Sequence, residues 1–326
     1  MILATWFYSS PSGENFPYPG VGHNSGDEDF QLCYFKCVMN FFASSYFNNY
    51  EDIKNAKLRH IFLCNSMPSY LEKIKFSEAM SMFNVEIIKF IPTRIPEFSK
   101  NSKLLFGSVF TQLDAIQRLC EVISDDDKIL LMDNDVLVNK PVMLISNEIS
   151  DDPIVLKQQS GALDQKIQGI PLKILMQISD SVGGEKKCFR PYIHTGGELV
   201  AMSGRSLRIF SLLCNNIYDR NLSLSNSDGV EDYFKTEEQI FSSAYQCFDN
   251  LKFANFISRI WTDQNKFRTV NGSENDLTFL HIPSEKRAGF LRLFEQLFEL
   301  VCSGKPLPQS LKNIYQFSNL QISCNL

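Results

Sequence analysis

Apolar residues along this chain fall into short unbroken runs that alternate with stretches of three- and four-residue spacing. Ile2 to Tyr8 is a run of the first kind and predicts a buried strand, ended by Ser9-Ser10-Pro11-Ser12-Gly13. A loop rich in Gly, Pro and Asn follows to about Asp29. From Phe30 to Phe47 the apolar positions Tyr34, Val38, Phe41, Phe42 and Tyr46 recur at helical spacing. His60 to Cys64 reads as a second strand, Ser69 to Met82 as a second helix, and Val85 to Ile91 as a third strand closed by Pro92. A long helix is expected from Phe106 to Ile123, and Ser124-Asp125-Asp126-Asp127 then turns the chain into the apolar run Ile129 to Met132. This alternation predicts an α/β fold whose central, mostly parallel sheet is flanked by helices.

The second half is less regular. Ile154 to Lys157 is a short strand, and 158–187 is polar apart from an apolar island at Ile170 to Ile178. Tyr192 to Met202 holds a Gly196-Gly197 turn feeding a strand, with a helix from about Ser206. Thr236 opens another helix, and Glu237 and Glu238 enrich its first turn in acid, as helix starts favour. Phe290, Leu293, Phe294, Leu297, Phe298 and Val301 form one face of a C-terminal helix, with Arg292, Glu295, Gln296 and Glu299 opposite. No repeat or flexible linker divides the chain, so one continuous unit is expected.

With 326 residues and 44% apolar content the chain can bury a large core. A net charge of −5 and scattered basic residues argue against a nucleic-acid partner. Nine cysteines without C-x-x-C pairs or Cys/His clusters fit free thiols in a reducing compartment. The first residues lack the basic region and apolar length of a signal peptide, and no run reaches the ~18 apolar residues of a membrane span. A cytoplasmic protein without a transmembrane segment is expected, with peripheral membrane contact left open.

Chemistry concentrates in Lys128-Ile129-Leu130-Leu131-Met132-Asp133-Asn134-Asp135-Val136-Leu137-Val138. Two carboxylates spaced i, i+2 end a buried strand, where they are costly unless a cation or strong donors hold them. Mg²⁺ or Mn²⁺ bound to a diphosphate suits that place, since these hard ions take one or two carboxylates plus phosphate oxygens. Asp-x-Asp also occurs at Asp27-Asp29 and Asp125-Asp127, but only the copy at Asp133-Asp135 follows a strand-like run. Open α/β sheets bind ligands at the carboxyl ends of their strands. An Asx turn is the alternative.

The order of these parts resembles the GT-A fold glycosyltransferases of the nucleotide-diphospho-sugar transferase superfamily. Residues 128–141, KILLMDNDVLVNKP, are similar to that family's strand, Asp-x-Asp, strand and Pro segment. Phe279 to Arg287 is similar to the late His-x-x-Gly-x-x-Lys segment of GT8-like retaining enzymes, with Ser284 in place of Gly and Lys286 one position early. The resemblance implies a GT-A domain over 1–285, with a nucleotide-binding half to 140 and an acceptor half after it, and a helical extension at 286–326. It implies a metal-dependent glycosyltransferase of the hexosyltransferase type, taking a nucleotide-sugar donor, UDP-sugars being the commonest in the family. The acceptor would be a glycan, a lipid-linked sugar or a protein.

On that resemblance Asp135 is a direct metal ligand, Asp133 touches the metal or the ribose, and His281 is a third ligand. Lys286 or Arg287 would pair with phosphate. Gly196 and Gly197 would line the sugars, and Glu238 or Glu237 would orient a hydroxyl or act as general base, Glu238-Gln239 matching the family's acid-Gln pair. Thr5 and Tyr8 at the first strand would hold the nucleoside, and Asp114, with Gln112, lies on a helix that faces the nucleotide in the family. Gly20 to Gly26 could cradle phosphate but lacks a P-loop pattern. A sugar nucleotidyltransferase is the first alternative, though it needs a basic Gly-rich loop where this chain has Ser9 to Phe16 without Lys or Arg. A catalytically silent nucleotide-sugar binding protein is the second.

Overall fold

The computed structural model describes the chain except residues 12, 15, 17–23, 97–106, 160–165, 168, 184–191, 228–232, 261–273, 306–308 and 316–326. Two compact units emerge. One comprises Met1–Phe90, Leu130–Glu148 and Asn255–Leu326; the other comprises Ile91–Ile129 and Ile149–Ala254.

The first unit is built on a sheet whose strands are β1 (Ile2–Phe7), β2 (Arg59–Cys64), β3 (Val85–Lys89) and β4 (Lys128–Met132), in the order β4-β1-β2-β3. β1, β2 and β3 run parallel, Ile2 pairing with Arg59 and His60 with Val85. Helix α1 (Glu28–Asn48) is buried along most of its length, including the polar residues Gln31, Asn40, Ser44 and Ser45. A helix apolar on one side only would not carry those polar groups inward, and each has work there. Asn40 donates to Phe290 O at 2.8 Å and accepts from the Tyr315 hydroxyl at 2.6 Å, which docks the helix Gly289–Ser303 and the helix Gln309–Tyr315 on α1. A buried amide bonded on both sides replaces the water it loses.

The expected helix over 69–82 is two pieces, a 3₁₀ helix at Ser69–Ile74 and an α-helix at Phe76–Met82, broken at Lys75 with φ +49°. The break lets Ile74 and Phe76, two residues apart, both face the core. Most of the apolar face foreseen for the C-terminal helix is inside: Phe290, Leu293, Phe294, Leu297 and Val301 are buried, and Phe298 is half-buried.

A second, smaller sheet positions the acidic motif. β5 (Val136–Val138) lies antiparallel to Phe279–His281, which is parallel to Ile257–Arg259. Its register sets Val136 opposite His281. α1 satisfies the other side of β5: Val138 N donates to Ser44 Oγ at 3.0 Å, and Asn48 Nδ2 donates to Val138 O at 2.8 Å.

In the second unit Leu199–Ser203 lies antiparallel to Ile154–Val155, which is parallel to Lys252–Phe253. The apolar island at 170–178 is carried by the helix Leu172–Gly183. The helix expected from Ser206 begins at Gly204 with Ser203 as N-cap, its oxygen accepting from Ser206 N at 3.2 Å. A side chain at 204 would strike Ser124 O at 1.9 Å, so only glycine can start this helix here. Parallel strands, covering helices and crossover connections make the fold class α/β, as expected. Among the described residues no helix is long and apolar enough to cross a membrane.

Candidate active site

The turn between β4 and β5 carries Asp133 and Asp135. Asn134 between them donates to Trp6 O at 3.2 Å, which pins the turn to the end of β1. The strand pairing then does the rest. Ile282 N donates to Asp135 O at 3.0 Å, so His281 arrives beside Asp135 although 145 residues of chain separate them. His281 Nε2 lies 3.1 Å from Asp135 Oδ1 and 4.0 Å from Asp133 Oδ2. One ligand atom from each of the three residues falls within 4.8 Å of the others. Two carboxylates and an imidazole are a donor set that a hard or borderline divalent cation accepts, so the residues fit a metal here.

After His281 the chain makes a 3₁₀ turn at Pro283–Glu285 and presents Lys286. Its ammonium bonds Asp135 Oδ2, with Pro283 O at 3.4 Å and the Tyr34 ring centroid at 5.5 Å. Burial alone would raise the Asp135 carboxyl, but the Lys286 and His281 charges outweigh it and hold it well below the carboxylate range. Burial would lower Lys286, and Asp135 reverses that and raises it. Both partners are therefore charged at neutral pH. Asp133, with 37% of its side chain exposed, is open to solvent where Asp135, at 4%, is not. Arg287 is exposed, and of the two expected phosphate cations Lys286 is the one seen bonded to Asp135.

β1 supplies Thr5, fully buried, and leads to Tyr8, whose hydroxyl donates to Glu14 at 2.6 Å. Among the described residues the buried hydroxyls of Thr5 and Ser9 have no hydrogen-bond partner. Ser9 stands just past the carboxyl end of β1, its backbone tied to Asn65 by bonds of 2.8 and 2.9 Å. Gly20 to His23 lie outside the described residues.

The remaining expected residues lie in the second unit. Gly196 N donates to Leu156 O at 3.0 Å, and Gly197 N donates to Glu238 Oε1 at 3.2 Å. A Cβ at 197 would meet Glu237 Oε1 at 2.7 Å and Glu238 Cγ at 3.0 Å, so the missing side chain makes room for the two acids. Gln239 does not extend this acidic pair. It turns back, its Oε1 accepting from Lys235 N at 2.6 Å and Thr236 N at 3.2 Å, and so caps the helix Glu237–Tyr245. Asp114 accepts from Thr93 N at 2.8 Å, Thr93 Oγ1 at 2.6 Å and Arg94 N at 3.1 Å, and pairs with the Arg94 guanidinium. Gln112 Nε2 reaches Gly197 O at 3.4 Å.

Sequence reasoning missed two participants, Tyr34 and Ser242. Tyr34 was counted only as a helical core position, yet its ring faces Lys286. His194 Nε2 lies 3.7 Å from Glu238 Oε2, and its Nδ1 lies 3.2 Å from Ser242 Oγ. Ser242 also donates to Glu238 O at 2.6 Å and accepts from Thr195 N at 3.0 Å. The i, i+4 spacing of Glu238 and Ser242 was a usable signal for the bond to Glu238 O.

The strand order is that of an α/β fold, and it is similar to the GT-A fold of glycosyltransferases. Among solved structures, the apo bifunctional glycosyltransferase WbbM is similar at TM-score 0.50 and 10% identity over 86% of this chain. This chain spans 45% of WbbM. An active-site mutant of LgtC matches at TM-score 0.50 and 14% identity, over 96% of this chain and all of that one. The galactosyltransferase LgtC with donor and acceptor sugar analogues gives TM-score 0.48 at 12% identity, with 96% and 100% coverage. No protein-family model matches the sequence, and no curated protein matches it.

Proposed function

We propose that this chain is a divalent-metal-dependent glycosyltransferase that moves a sugar from a nucleotide-diphosphate donor to an acceptor hydroxyl. The observation that carries this reading is the convergence of Asp133, Asp135 and His281 with the Lys286 ammonium at one strand end. Cleaving a sugar–diphosphate bond leaves negative charge on the departing phosphate oxygen, and catalysis of that step is chiefly stabilisation of the charge. Asp135, Asp133 and His281 would hold Mn²⁺ or Mg²⁺, which supplies Lewis-acid stabilisation of the phosphate oxygens when bound. Lys286 pairs with the diphosphate. The buried hydroxyl of Ser9, with Thr5 on β1 and Tyr8 just past its end, serves the nucleoside. Glu238, held by the Gly197 N–H, orients a sugar hydroxyl, with Glu237 beside it, and Gly196 and Gly197 form the wall they stand against. UDP is the expected base and a hexose the expected sugar, with a glycan, lipid-linked or protein acceptor.

A thermal-shift panel of UDP, GDP, CDP and their common sugar conjugates tests the reading, each with Mn²⁺ and with chelator. A metal-dependent rise in Tm for one base is expected. No rise with any nucleotide in the presence of metal would remove the donor assignment.

A further inference from the structure

From the placement of Lys286 we infer that this side chain is an internal counter-ion competing with the divalent cation for Asp135, so that metal and diphosphate bind as a coupled pair. The inference rests on the metal–diphosphate reading above and adds an order of events to it. Asp135 is 3% exposed, and a carboxylate so placed needs a partner at all times. That partner is present: Lys286 Nζ bonds Oδ2, and His281 Nε2 faces Oδ1 at 3.1 Å. A divalent cation taking an Asp135 oxygen therefore meets a full positive charge already seated on the same carboxylate. Metal alone binds against that charge.

The ammonium has somewhere to go. Pro283 O at 3.4 Å and the face of Tyr34 at 5.5 Å are neutral partners that can hold it without cancelling its charge. The backbone at 286 is packed on α1, its carbonyl accepting the Cys33 S–H at 3.5 Å. Only the flexible four-carbon stem has to move. Once released from Asp135, Lys286 is a mobile cation lacking an anion, and a diphosphate is the anion that suits it. Each ligand then tightens the other by the same factor, as linkage requires. Asp133, half open to solvent and 4.0 Å from His281, is the carboxylate a metal can reach first.

The test is calorimetric titration of Mn²⁺ into the full chain, as wild type, Lys286→Met and Lys286→Arg. Each is repeated with inorganic pyrophosphate, with metal–pyrophosphate complexation measured separately. Without pyrophosphate, Lys286→Met should bind Mn²⁺ on the order of tenfold more tightly than wild type, a typical size for coupling between sites. Lys286→Arg keeps the cation and should bind no more tightly than wild type. Pyrophosphate should tighten Mn²⁺ binding in wild type by more than it does in Lys286→Met. Lys286→Gln, which keeps a donor to Asp135, takes the place of the Met variant should circular dichroism show that variant unfolded. Equal Mn²⁺ affinity in wild type and the charge-removed variant overturns the competition and leaves the metal site standing. Absence of Mn²⁺ binding from every form overturns both.

Discussion

Asp135 in the first unit and Asp114 in the second are both buried carboxylates paired with a cation, and both were expected to touch the donor. Around Asp114 each oxygen is doubly engaged: Thr93 Oγ1 and the Arg94 guanidinium on one, the Thr93 and Arg94 backbone N–H groups on the other. Around Asp135 each oxygen meets one nitrogen, and a second carboxylate and an imidazole converge on the same point. Burial and a charge partner are common to the two. We expect Asp114 to be a strut and Asp135 a ligand site, because only Asp135 keeps acceptor capacity beside other groups with the same need.

The largest expected effect breaks the strut. Asp114→Ala leaves the Arg94 guanidinium and two backbone donors without their acceptor, a loss of about 3–5 kcal/mol. Urea denaturation should show it, while Mn²⁺ affinity measured on the folded fraction stays at the wild-type value. Asp135→Asn keeps an oxygen for Lys286 and should cost less stability than Asp114→Ala. It should weaken Mn²⁺ binding at least ~100-fold, because altering even an outer-sphere partner of a metal costs 10–100-fold. If the two variants exchanged these phenotypes, the distinction between strut and ligand site would be backwards.

The strands and the acidic turn were legible because they depend on local pattern. Ile129 to Met132 is a wholly apolar run, and only a strand end explains carboxylates directly after it. His281 was legible through the spacing of Phe279 to Arg287, but what brings it to Asp135 is the antiparallel register of β5, which no local signal encodes. The engagement of Asp114 was hidden for the same reason. Its partners Thr93 and Arg94 lie across a loop, and helical spacing says nothing about them. Nor could spacing tell that Gln239 folds back as a cap, because an acid-Gln pair at a helix start serves a ligand and a capping box equally well. The inward polar groups of α1 escaped notice too, since Asn40 and Asn48 look like solvent positions until the elements that cover them are in place.

His60 sharpens the comparison by removing the charge partner altogether. It is 1% exposed, with Nε2 2.8 Å from Ser45 Oγ and Nδ1 3.1 Å from Phe83 O. Burial pushes its pKa down to about 4, with the Phe83 carbonyl opposing. The unfolded chain, with a histidine pKa of about 6.5, binds the proton first as pH falls, so the folded state loses stability on acidification. The loss begins near the unfolded value and is complete below the folded one. Between about pH 7.5 and about pH 5 it should amount to ~2 kcal/mol. Denaturation midpoints of wild type and His60→Gln across that range should differ in slope by this amount. Equal slopes would mean that the imidazole takes up its proton in place, and that burial without an ion is tolerated here more cheaply than at Asp135.

Glu238 extends the comparison to a third carboxylate, and the smallest expected effect comes from its support. It accepts from Gly197 N at 3.2 Å and faces His194 at 3.7 Å, with 12% of its side chain exposed. Gly197→Ala places a methyl carbon 2.7 Å from Glu237 Oε1 and 3.0 Å from Glu238 Cγ. Both contacts are with side-chain atoms that can rotate away, so the strand and helix should survive with a loss of about 1 kcal/mol. The carboxylates cannot rotate and keep their positions at once. If Glu238 orients a sugar hydroxyl, turnover of the donor identified by thermal shift should fall roughly tenfold, less than the ~100-fold that a full misplacement of about 1 Å can cost, with Mn²⁺ affinity unchanged. Unchanged turnover with a shifted Glu238 would class it with Asp114 as a strut, and the acid that serves the acceptor would have to be sought elsewhere.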